Sequence, residues 1–207
     1  MGDVLNSFSD PSMVWIGSRG GPEVVGGLGA YARTIGHELS EAGWAVCHFK
    51  TDSGSAGLPE CEDRITSPVR TVPKNRLGRR LGVIGPRLSS RPPLHGALQA
   101  IAGRGLQFSA LEECRNHPAV LHYIGTGWDL TGFAFLREAR RRGALFTVLP
   151  AVHPGSWGDD RIDLRLYKQA DAVFCLSEHE RLHLADLGIP REKLVRTLLP
   201  PMCRMDG

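Results

Sequence analysis

The chain has 207 residues, 42% of them hydrophobic and 23% charged, with a formal net charge of +3. That length suffices to bury a sizeable core in one domain, or in one domain with appendages. So small a charge does not by itself imply a nucleic-acid partner, and no segment approaches the ~20 apolar residues that span a bilayer.

Residues 1–12 are polar and lack the basic and apolar regions of a secretory signal. Gly2 follows Met1, but Asn6 stands where a myristoylation signal favours Ser or Thr. The apolar run Met13 to Ser18 reads as a first strand. A glycine-rich loop follows, Arg19 to Gly29, reading RGGPEVVGGLG. Then Leu28, Ala32, Ile35, Leu39 and Ala42 recur at spacings of three and four, which predicts a helix ending at Gly43. On its polar side His37 aligns with Arg33 and Glu41, as a solvated histidine does. Trp44 to Phe49 reads as a second strand, Lys50 to Ser67 as loop, and Val69 to Val72 as a short third strand.

Pro73 to Pro93 predicts no defined element. Seven basic residues and no acidic one lie between Arg70 and Arg91. Three readings stay open: a solvated excursion, a basic cover over an anionic acceptor, or a contact with an anionic membrane surface. Nucleic acid fits less well, because aromatics are missing between the charges. Leu94 to Ala102 reads as helix, and Ser109 with Glu112 has capping-box spacing for another.

Ala119 to Ile124 reads as the fourth strand, followed by a second glycine loop, Gly125-Thr126-Gly127-Trp128. A helix from Asp129 to Arg142 carries acid at its start and arginines at its end, an order that suits the helix dipole. Ala144 to Leu149 is the fifth strand, Val152 to Gly155 its following loop, and Asp159 to Ala170 the next helix. Asp171 to Leu176 is the sixth strand. Ser177 and Glu180 make a second capping box on a helix that stops at Gly188, and Leu194 to Leu199 is the last strand.

The five cysteines (Cys47, Cys61, Cys114, Cys175, Cys203) are odd in number and form no C-x-x-C pair. That argues against a disulfide framework or a zinc knuckle and for a cytosolic protein. Cys47 and Cys175 sit in apolar runs and read as buried small hydrophobes.

Alternating strands and helices predict an α/β fold: a Rossmann-like, doubly wound, mostly parallel sheet with helices on both faces. In such sheets ligands bind beyond the carboxyl ends of the strands, where strand order reverses. The loops after strands one, four and five then share one edge. This gathers Gly26 and Gly27, Gly125 to Trp128, and His153. A helix start carries free N–H groups and attracts phosphate, and glycines there let a ligand approach the backbone. Gly27, Gly29 and Ala32 also fit the G-x-G-x-x-A dinucleotide variant, although Ser18 to Val25 separates them from the strand.

Two blocks carry a resemblance. One is GGLGAYARTIGHELSEAGWAVCHF, Gly26 to Phe49. The other, Val120 to Leu199, includes LHYIGTGWDLTGF, TVLPAVHP and YKQADAVFCLSEHERLHLADLGIPREKLVRTLLP. The chain resembles the N-terminal domain of a GT-B fold, family-four-type retaining glycosyltransferase. The resemblance implies residues 1–199 as an acceptor-side domain with 70–93 as a basic insertion. It implies residues 200–207 as the start of a linker to a C-terminal donor domain, without which the chain is weakly active or silent. It implies transfer from a UDP- or GDP-sugar type donor, with retention and no metal. The diphosphate would lie at Gly26 and Gly27, the acceptor at Gly125, Thr126 and Trp128, and the transferred sugar near His153 as the catalytic residue. The alternative is a stand-alone nucleotide-binding or non-catalytic partner module.

Overall fold

The computed structural model describes residues 13–23, 26–51, 67–89, 91–108, 117–128 and 130–197. Seven strands and six helices alternate along them: β1 Met13–Ser18, α1 Gly27–Glu41, β2 Ala45–Thr51, β3 Val69–Val72, α2 Arg76–Ser89, α3 His95–Ala102, β4 Val120–Ile124, α4 Thr131–Arg142, β5 Leu145–Leu149, α5 Arg161–Gln169, β6 Ala172–Cys175, α6 Glu178–Asp186 and β7 Leu194–Arg196. All strand pairs are parallel, in the order β3-β2-β1-β4-β5-β6-β7. Strand order reverses at β1 and β4, which pair directly.

Alternation along the strands decides which helix each side chain meets. Val14 and Ile16 join Ile124 and Leu149 against Tyr31, Ala32 and Ile35 of α1. Trp15, Leu121, Tyr123, Phe146 and Val148 point the other way, into the larger core under α3, α4 and α5. Trp15 is fully buried, 4.5 Å from Phe49 between ring centroids, with the Arg142 guanidinium 4.4 Å over its ring. The arginines that end α4 are therefore structural, through specific partners as well as the dipole. Arg141 and Arg142 bond Glu138, and Arg140 bonds Asp171 at 2.7 Å.

The strands predicted from the sequence fall within one or two residues of those observed at β1 to β6; β7 stops at Arg196. The segment without a predicted element contains α2. Gly78, Gly82, Gly85 and Pro86 each disfavour a helix there. Tertiary packing outweighs that propensity: Leu81 is buried, Leu88 packs on the core, and Gly78 lies against the backbone of Gly105. The expected helix at Ser109, the start of α4 at Asp129, most of the 50–67 loop and the tail 200–207 lie outside the described residues. Cys47 and Cys175 are buried free thiols, and His37 is exposed.

Candidate active site

The first turn of α1 presents its backbone to open space. Its cap, Gly26, has φ 134°, which favours glycine, and among the described residues no side chain caps the helix. The first turn holds no acidic residue. Among the described residues, a Cβ built on Gly26 or Gly27 would meet nothing within 4 Å. The N–H groups of a first turn have no partners within the helix, so a ligand can take them. The start of the glycine loop is fixed by polar contacts: Gly21 N–H donates to Ser18 Oγ at 2.9 Å, and Lys50 bonds Glu23 at 2.6 Å. Arg33 donates to the Pro22 carbonyl at 2.6 Å.

Across from this helix start stands the loop after β5. Ala151 has φ 50°, a left-handed conformation that costs a residue with a side chain about 1–2 kcal/mol. From there the chain turns tightly. His153 N–H donates to the Trp157 carbonyl and Trp157 N–H to the His153 carbonyl, both at 3.0 Å. The Trp157 indole N–H donates to the Ala151 carbonyl at 2.9 Å, which fixes the ring. Gly155 N–H donates to Asp159 at 2.7 Å, and Asp159 also meets His183 at 3.0 Å. Burial alone would raise the Asp159 pKa, but these partners hold it below its ordinary value.

Glu180 anchors the loop from below. It is buried, and accepts from Val152 N–H at 2.7 Å and Leu176 N–H at 2.6 Å. Burial nonetheless raises its pKa. The capping box expected at Ser177 and Glu180 is present on the Ser177 side, where Glu180 N–H donates to Ser177 Oγ at 3.1 Å. Glu180 thus does more than cap a helix, since its carboxylate ties the His153 loop to the start of α6.

Asp163 does the same for the loop after β4. It accepts from Trp128 N–H at 2.7 Å and from the Thr126 side chain. Despite these donors, burial pushes its pKa up to about 6. Gly125 has φ 146° and donates to the Leu149 carbonyl at 3.0 Å. Gly127 packs so closely on α5 that a Cβ would lie 2.6 Å from the Ile162 carbonyl oxygen.

The three turns meet. Gly27, Leu28, Tyr31, Ala151, His153 and Trp157 line one cleft of about 540 Å³. Gly125, Thr126 and Trp128 line a second, of about 240 Å³, with Arg19, Gly29 and Trp157. Leu28 and Trp157 belong to both. Gly26 caps the helix at the edge of the first cleft without lining it. His153 is exposed. Tyr31 is buried on the cleft floor, its phenol pushed up to about 12 by burial. Beneath it His122 bonds Thr147 at 2.9 Å, and burial lowers its pKa to about 4, so its ring is neutral.

Sequence reasoning did not single out Trp157, Tyr31 or Asp163 for the site, and gave Glu180 only a helix cap. Asp163 sits three residues after Asp160, a capping-box spacing, and both hydrogen bonds of that box are formed. Trp157 carried no periodic signal, only its place in a Gly- and Pro-containing loop.

A profile of the glycosyl transferase 4-like domain matches residues 26–198. The chain belongs to that family. No curated protein matches it in sequence. Among solved structures, the apo lipopolysaccharide outer core galactosyltransferase WaaB aligns with 88% of this chain and 44% of its own, at 12% identity and a TM-score of 0.53. An α-glucosyltransferase in complex with UDP-glucose and DNA containing an abasic site aligns with 91% of this chain and 42% of its own, at 9% identity and a TM-score of 0.51. UDP-N-acetylglucosamine 2-epimerase from Rickettsia bellii aligns with 92% and 45%, at 13% identity and a TM-score of 0.49. From the two glycosyltransferases, the glycosyl transferase 4-like domain has the GT-B type of Rossmann-like fold. The chain spans less than half the length of each of these structures.

Proposed function

We propose that this glycosyl transferase 4-like domain is the acceptor-side half of an enzyme that moves a sugar from a UDP- or GDP-sugar to an acceptor with retention. A C-terminal domain supplies most of the donor site, and the chain alone is inactive or nearly so. The observation that carries this reading is that Gly27 and His153 line the same cleft.

Breaking the glycosidic bond leaves negative charge on the departing nucleoside diphosphate. Gly26 and Gly27 let that diphosphate reach the uncapped N–H groups of α1, which stabilise the growing charge without rearranging. His153 hydrogen-bonds the transferred sugar while positive charge builds at its anomeric carbon. Gly125, Thr126 and Trp128 hold the acceptor, and the fixed indole of Trp157 stacks on a sugar ring between the two clefts. The backbone donors do the work a metal does elsewhere, so the reading needs no metal. Two buried thiols suit a cytoplasmic location.

In the protein carrying both domains, His153→Ala lowers transfer by about 10²-fold or more. Its unfolding midpoint stays within experimental scatter, because the side chain is exposed. Unchanged turnover removes the histidine from the chemistry. Stoichiometric NAD binding by this chain, with no transfer from any nucleotide sugar, favours the dinucleotide reading of Gly27, Gly29 and Ala32.

A further inference from the structure

We infer that the surface formed by α2 and α3 docks on an anionic lipid bilayer. This inference is independent of the sugar-transfer reading. It rests on charge and on exposed apolar side chains that the fold brings to one surface.

From Ser67 to Phe108 the chain contains no acidic residue and eight basic ones. The whole chain has 25 basic and 22 acidic residues, so this segment holds eight positive charges while acidic residues outnumber basic ones in the rest. α2 turns its arginines outward: Arg76, Arg79 and Arg80 are all exposed. None of these three has an ion-pair partner among the described residues. Arg91 and Arg104, exposed at the two ends of α3, extend the same charge.

Apolar side chains stand among these charges. Leu77 is 40% exposed, and Leu94 and Ile101 are each 37% exposed. The inward side of the same elements is satisfied, with Leu81, Leu98 and Ala102 in the core. The outward leucines and isoleucine have no such role in the fold. Cationic side chains interspersed with a few apolar ones match a bilayer surface, where arginines meet anionic headgroups and leucines enter the acyl boundary. Nucleic acid would call for stacking aromatics. The one Phe, Tyr or Trp between Ser67 and Phe108 is Phe108 itself, which is buried.

The surface also adjoins the candidate site. A small space lined by Lys74 and Gly78 of the α2 end, Leu106 and Thr131 is bounded by Arg19. Arg19 also lines the cleft that holds Trp128 and Trp157. The docking surface therefore begins beside that cleft.

Flotation of the intact protein with phosphatidylcholine vesicles, with or without phosphatidylglycerol, tests this. Binding is expected only with phosphatidylglycerol, and it weakens as salt rises. The triple variant Arg76→Glu, Arg79→Glu, Arg80→Glu loses at least about a hundredfold in affinity, since each arginine near such a surface contributes roughly fivefold. Replacing the same three by Lys retains binding. The double variant Leu77→Ser, Ile101→Ser still binds at low salt but loses the binding that survives high salt. Arg191→Glu, exposed at the opposite edge of the sheet, binds as the parent does. Thermal melts show which variants are folded; should the triple variant not fold, the serine pair and the Lys triple carry the test. Three results would overturn the inference: no preference for phosphatidylglycerol, undiminished binding by the folded glutamate triple, or displacement from vesicles by equimolar duplex DNA.

Discussion

The two walls of the main cleft are built on opposite principles. The wall made by the start of α1 is bare among the described residues: none lies within reach of a Cβ on Gly26 or Gly27, and no side chain caps the helix. The wall made by the His153 loop is tied at almost every residue, through Glu180, Asp159 and its own backbone pairing. A bare helix start keeps its donors for an anion. A tied loop keeps a side chain in place before any ligand arrives, so little ordering remains to be done on binding. The cleft is thus open on the side that would meet charge and fixed on the side that would meet the sugar.

That contrast can be broken at the tied wall with the largest effect. Glu180→Ala leaves the buried N–H of Val152 and the half-buried N–H of Leu176 without their acceptor. Each such loss costs about 1–3 kcal/mol, so we expect destabilisation of about 4 kcal/mol in urea titrations. A loss below about 1 kcal/mol would mean that the loop is not held by this carboxylate.

Asp163→Asn sharpens the comparison at the second cleft through pH. The fold raises this carboxyl from 3.8 to about 6 through burial, so its neutral form is favoured. The stability it contributes is present below the unfolded pKa and is lost as pH rises through the folded one. Parent and variant should diverge by about 3 kcal/mol between about pH 4 and 6, with the parent losing stability and Asn showing no such loss. Parallel pH profiles of unfolding free energy would contradict that.

The smallest effect on stability, and the most discriminating, comes from the bare wall. Gly27→Ala meets no steric conflict and replaces a glycine in a helix, so the domain gains up to about 1 kcal/mol. The same methyl intrudes where the diphosphate is proposed to lie, so affinity for a nucleotide sugar falls. Stabilisation with unchanged affinity would move the anion site away from α1.

The frame of this cleft was legible in the sequence because each part carried its own local signal. Alternating apolar runs marked β1, β4 and β5, and glycines at Gly26, Gly43, Gly143 and Gly188 marked helix ends. Strand order then followed from the doubly wound pattern, and with it the meeting of three loops on one rim. What was not legible depends on contacts between distant residues. Asp163 reaches Trp128 across thirty-five positions and Glu180 reaches Val152 across twenty-eight. Helix α2 escaped for a related reason, since its glycines and proline speak against a helix and only packing on Gly105 and the core offsets them. Trp157 is placed by a turn whose geometry no periodicity announces.

We propose that one cleft takes the nucleotide sugar between both walls. The most direct measurement is an amide chemical-shift map of the isotope-labelled chain titrated with UDP- and GDP-sugars. With a shared site, Gly27 and His153 shift together, with one saturation curve. Shifts confined to one wall, or to residues at the opposite rim such as Val120 and Leu145, would contradict it.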